Sequence, residues 1–119
     1  MLKKLFLITA LISIGNTATY SVVVDIKERK VNGKSWDVFG NAPDIILKID
    51  GDTLPLIESC KNQYRCVMEF ESIVTDWYIE VYDKDKMADD IIGRGNCTVG
   101  EVCEVGQAKM IIQLNSENN

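Results

Sequence analysis

The chain has 119 residues with 13 basic and 18 acidic side chains and no histidine, enough for one domain with a modest core. Its net charge of −5 opposes nucleic-acid binding, which needs a basic face, and simple electrostatic attachment to anionic lipid. The missing histidine removes Ser-His-Asp and Cys-His nucleophile systems and the usual histidine-based zinc sites.

The start has the form of a secretory signal: basic Met1-Leu-Lys-Lys4, the apolar run Leu5 to Ile14, then small residues Asn16 to Ser21. The apolar run is too short to span a bilayer comfortably. Residues 1–21 are therefore read as a signal peptide, cleaved after Ala18 or Ser21, with export to the periplasm or the exterior. No cysteine closely follows the run, so a lipid anchor is not expected. Loss of Lys3 and Lys4 leaves 11 basic against 18 acidic residues, a charge of 11 − 18 = −7.

A domain over residues 22–114 follows, with 115–119 as a disordered tail. Ser21 to Ile26 begins an edge-like strand that runs into charged Lys27 to Lys30. Asn32-Gly33 is a turn signal, and a loop carries the chain to Pro43 and the strand Asp44 to Ile49. Asp50-Gly51 reads as a hairpin corner with Thr53 to Glu58 returning, where Pro55 suits an edge. Val67 to Phe70, Thr75 to Tyr82, Gly95 to Val99 and Ala108 to Leu114 complete the set. Short strands at this spacing, with no helical period beyond the leader, predict an all-β fold: an antiparallel β-sandwich of about seven to eight strands.

Cys60, Cys66, Cys97 and Cys103 form two pairs with five residues between the members of each. Four cysteines allow three connectivities. The matched spacing and the export signal favour disulfides Cys60–Cys66 and Cys97–Cys103, each contributing about 2 kcal/mol through chain entropy. Asn96-Cys97-Thr98 also fits the glycosylation sequon, a short and permissive motif.

The stretch with the most chemistry is Asp83-Lys-Asp85-Lys-Met-Ala-Asp89-Asp90-Ile-Ile-Gly93. It follows Trp77-Tyr-Ile79-Glu-Val81-Tyr, whose alternation puts Trp77, Ile79, Val81 and Asp83 on one face of a strand. Asp83 and Asp85 lean the same way as long as the backbone stays extended. Crowded carboxylates repel unless a cation neutralises them, and hard oxygen donors suit Ca2+ first and Mg2+ second. An EF-hand is excluded, because Met87, Ala88 and Arg94 fall where its loop needs Asp or Asn, Gly and Glu.

Two segments together resemble the C2 domain, the calcium-dependent lipid-binding sandwich. Trp36-Asp37-Val-Phe39-Gly-Asn-Ala-Pro-Asp44-Ile-Ile-Leu-Lys-Ile49 is similar to its first calcium loop and next strand. Trp77 to Gly93 resembles the third loop, a strand ending in Asp-x-Asp, a short gap, then Asp and a closing Ile-Gly. Their order and separation fit as well, so the likeness runs from Val22 to Leu114. It implies a C2-like Greek key and a Ca2+ site made of Asp37, Asp44, Asp83, Asp85 and Asp90, with Asp89 competing for the role of Asp90. It also implies that Phe39 and Met87 are apolar tips that meet a membrane or partner, with Lys84 and Lys86 beside them. The third loop is about one residue shorter than the common form, Asp44 is followed by Ile rather than Pro-Tyr, and the four cysteines are foreign to the intracellular members.

The leading expectation is thus a secreted, monomeric, non-enzymatic module that binds a phospholipid surface or a partner protein in a Ca2+-dependent way. The alternative is a metal-independent structural or interaction sandwich of the cell envelope or exterior, pairing through a strand edge. An enzyme is disfavoured, since no activated nucleophile and no room for a sizeable cleft are evident.

Overall fold

The computed structural model describes residues 17–28, 33, 42–85 and 89–117. Eight strands form within them: β1 Ala18–Ile26, β2 Ile45–Ile49, β3 Asp52–Leu54, β4 Arg65–Ser72, β5 Asp76–Asp83, β6 Asp90–Thr98, β7 Val102–Val105 and β8 Ala108–Glu117. They make two four-stranded sheets, ordered β4-β1-β8-β7 and β3-β2-β5-β6, and every pairing is antiparallel. This is the expected all-β antiparallel sandwich.

Alternation decides which face each strand buries. In β1, Ala18, Tyr20, Val22, Val24 and Ile26 point inward, and β5 answers from the other sheet with Trp77, Ile79 and Val81. One apolar cluster joins both sheets. Tyr20 and Phe70 from one sheet close on Trp77 of the other, with ring centroids 5.0 to 5.6 Å apart. The Trp77 indole N–H and the Val74 amide both donate to Ser72 Oγ, at 3.0 and 3.1 Å, so the adjoining turn is fixed to the cluster. Buried aromatic pairs of this kind are worth about 0.5–1.5 kcal/mol beyond their area.

The β2–β3 corner is the expected Asp50-Gly51 hairpin. Both residues have positive φ, 50° and 89°, the combination that matches the twist of flanking strands. Asp50 also brackets β5: its N–H donates to the Tyr78 carbonyl and its Oδ1 accepts the Tyr78 N–H, each at 2.8 Å.

Several boundaries differ from the sequence reading, and β4 and β8 run longer than expected, to Arg65–Ser72 and to Glu117. β1 starts at Ala18 rather than Ser21, and β3 stops at Leu54 because Pro55 brings no N–H to the ladder. A 3-10 turn, Glu58–Cys60, replaces the rest of the expected return strand. β6 begins at Asp90 instead of Gly95, and β7 occupies part of what reads as a disulfide-closed loop. Cys97 and Cys103 therefore stand in different sheets, at disulfide distance with Cα atoms 5.5 Å apart, and tie the sheets together. Cys60 and Cys66 are likewise at disulfide distance, 5.2 Å between Cα atoms.

The sheets also meet at a glycine crossing. A Cβ on Gly93 would run into the Val105 carbonyl, and one on Gly106 into that of Ile92. The Gln107 N–H donates to the Ile92 carbonyl at 3.0 Å across the same corner. Only backbones without side chains approach this closely.

Candidate functional site: the acidic end

The end of the sandwich where β2 starts, β5 stops and β6 starts collects the candidate carboxylates. Asp83 closes the inward row of β5 and is 8% exposed, the one buried charged side chain among the described residues. Asp90 lies directly opposite it at the first rung of β6, and Ile45 opposite it on β2. Asp44 immediately precedes that rung and is half-buried. Its N–H donates to Asp83 Oδ1 at 2.9 Å, and its carbonyl accepts the Lys84 N–H at 2.8 Å.

Beyond Asp83 the strand ends, so Lys84 and Asp85 are exposed. The expected shared lean of Asp83 and Asp85 applies only while the backbone stays extended, and the two side chains differ in burial. Asp89 Oδ1 accepts the Asp85 N–H at 3.1 Å, which ties the loop's two ends together. Asp89 is thus engaged by the loop backbone, while Asp90 is the residue set against Asp83. Asp37, Phe39, Lys86 and Met87 lie outside the described residues.

Electrostatics follow from this placement. Burial pushes the Asp83 carboxyl up from 3.8 to about 6; the Asp44 N–H opposes the rise, and the charges of Asp44, Asp90 and Asp85 add to it. The four carboxylates are therefore close enough to feel one another. Their oxygen donors suit Ca2+ in kind, and a cation would relieve both their repulsion and the burial of Asp83. Among the described residues, however, no three metal-ligating side chains stand together as one ligand group.

One contributor is missing from the sequence reading. Asn62, within the Cys60–Cys66 loop, donates its N–H to Asp44 Oδ1 at 2.7 Å and accepts the Ala42 N–H on its side chain at 2.9 Å. An asparagine at the middle of a short cysteine-closed loop is the available signal, because Asn tolerates left-handed backbone.

No protein-family model matches the chain. No curated protein matches it either. Among solved structures it is similar to the paired C2 domains of extended synaptotagmin 2, with TM-score 0.48 and 16% identity over 97% of this chain and 47% of that one. The chain thus spans about half the length of that structure. It is also similar to a C2 domain protein from Ramazzottius varieornatus, with TM-score 0.39 and 14% identity over 87% of this chain and 91% of that one. Both are structures of C2 domains, the family that the Trp77 to Gly93 segment resembles.

Proposed function

We propose that this chain is an exported Ca2+-responsive binding module, without catalytic activity, whose acidic end engages an anionic phospholipid surface. The observation that carries this reading is Asp83: a buried carboxylate with Asp44, Asp85 and Asp90 charged around it, in an otherwise apolar inward row. A structural role would be met better by an apolar residue, since a buried charge without a counter-charge is costly. Bound Ca2+ would supply the counter-charge and bridge to phosphate or carboxylate oxygens of a ligand. Asp83 and Asp44 hold the fixed side of the site, Asp85 and Asp90 border the loop between β5 and β6, and Asp37 is the fifth proposed ligand, with Asp89 in reserve. Phe39 and Met87 are the proposed apolar contacts, with Lys84 and Lys86 beside the lipid phosphates. A buried apolar tip contributes about 1.5–3 kcal/mol, so two tips give weak, reversible attachment.

Co-sedimentation tests this with vesicles of anionic and of neutral phospholipid. Pelleting with anionic vesicles in Ca2+, lost in chelator, is expected; pelleting that persists in chelator places the binding surface elsewhere.

A second reading, the metal-independent interaction sandwich, is favoured by a different observation. Val67, Val23, Ile111 and Val102 stand in register across the outer face of the β4-β1-β8-β7 sheet. Val67 and Val102 are about half exposed there. Binding of a protein partner at equal strength in Ca2+ and in chelator selects this reading.

A further inference from the structure

The Cys60–Cys66 loop reaches the acidic end through Asn62. This residue holds φ at 55°, the left-handed region that Asn tolerates better than most side chains. In that conformation its Oδ1 accepts the Ala42 N–H at 2.9 Å and its own N–H donates to Asp44 Oδ1 at 2.7 Å. The next amide, Gln63 N–H, donates to the Pro43 carbonyl at 2.9 Å. Each of residues 42, 43 and 44 is thus gripped once by the loop. Asp44 passes the constraint on, because its N–H donates to Asp83 Oδ1 at 2.9 Å.

The loop is firm enough to act as a support. Cys60 is fully buried and Cys66 lies in β4, in the apolar cluster. Between them the Tyr64 carbonyl accepts the Ile26 N–H at 2.7 Å, which fastens the loop to the end of β1. A carboxylate among like charges swings away from them unless something holds it, and an N–H on a braced backbone is such a hold.

We propose that Asn62 is the positioning residue of the acidic end: it sets the Asp44 carboxylate beside Asp83, and the Cys60–Cys66 loop keeps Asn62 in the backbone conformation this needs. Its meaning for ion uptake rests on the calcium reading above, whereas its geometry does not. Glycine at this position keeps the left-handed backbone and the N–H that holds Asp44, and removes only the side-chain oxygen; valine removes that oxygen and also disfavours positive φ, which takes the N–H off Asp44. Aspartate keeps an oxygen for the Ala42 N–H.

The test uses the full chain with Asn62→Val, Asn62→Gly and Asn62→Asp, amide hydrogen exchange at Ala42 and Asp44, and calorimetric titration with Ca2+ alone. In Asn62→Gly only the Ala42 amide is expected to exchange faster; in Asn62→Val the Ala42 and Asp44 amides both are, by about tenfold, local opening having become easier. Ca2+ affinity in Asn62→Val is expected to fall by about three- to tenfold, read at a temperature where variant and wild type are fully folded. A merely structural residue would move the melting point and leave that affinity alone. Asn62→Asp is expected to restore slow exchange at Ala42. Wild-type exchange at Ala42 and Asp44 in Asn62→Val overturns the proposal. Lost protection with unchanged Ca2+ affinity overturns the positioning role. If wild type takes up no Ca2+, the calcium reading fails, and exchange at Asp44 alone decides whether Asn62 positions it.

Discussion

Asp83 and Asp90 face each other across the last rung of the β5–β6 ladder, one buried and one half-buried. Opposed like charges destabilise a strand pair. Burial and the neighbouring carboxylates therefore make the charged form of Asp83 costly, and a proton on it relieves that cost.

The proton effect has a definite direction. Asp83 binds its proton more tightly folded than unfolded, about 6 against 3.8. Between these values the folded state holds the extra proton, so this group makes stability fall as pH rises from about 4 to about 6. Urea unfolding in chelator across that range should show the decline in wild type and a flatter profile in Asp83→Asn. A wild-type profile no steeper than the variant's would contradict the burial of this carboxylate.

Ca2+ should oppose the same decline at neutral pH. A ligand at 100 times its dissociation constant stabilises by about 2.7 kcal/mol, which for a domain of this size raises the melting midpoint by roughly 10 °C. A midpoint that moves by less than about a degree in millimolar Ca2+, against that figure, would exclude a functional site.

Asp85→Asn separates ion from scaffold. Asp85 is exposed, and its charge is one of those raising the Asp83 carboxyl. The substitution should leave the calcium-free melt unchanged or slightly raised while weakening Ca2+ binding about tenfold, or 1.4 kcal/mol. Equal calorimetric affinities for wild type and variant would remove Asp85 from the site.

Gly93→Ala should be among the most damaging single changes, because its Cβ meets the backbone of Val105 rather than a side chain that can turn aside. A loss of about 3 kcal/mol or more in urea unfolding is expected. Gly51→Ala is the control: φ is 89° but the space around it is open, so only the backbone penalty of about 1–2 kcal/mol applies. Equal losses at both positions would mean that the two sheets can part at the corner.

Removing the Cys97–Cys103 link should cost about 2 kcal/mol from chain entropy. Because that link is remote from Asn62, Cys97→Ser with Cys103→Ser should leave the exchange of Ala42 unchanged. A change there would mean that the two cysteine pairs act as one unit.

How far the sequence discloses this arrangement depends on how local each signal is. β5 and its acidic terminus are legible, because a period of two over Trp77 to Asp83 needs nothing beyond the strand itself. The Asp50-Gly51 corner is legible for the same reason. β7 is not, since four residues between two turns carry too little pattern, and the matched cysteines draw the eye to a loop. The contrast between buried Asp83 and exposed Asp85 is hidden too, because it turns on where β5 loses its partners. Asn62 is hidden most deeply: its role comes from contacts 18 and 20 residues away in sequence.

If the chain is exported as proposed, the place of Tyr20 bears on how it would be trimmed. A leader peptidase acting after Ser21 would carry off the first four residues of β1, Tyr20 among them, and leave Phe70 and Trp77 with an empty third seat. Under the proposed export, a scissile bond after Ala18 spares the ring cluster, and a mature chain opening with Thr19-Tyr20 is the one compatible with that packing.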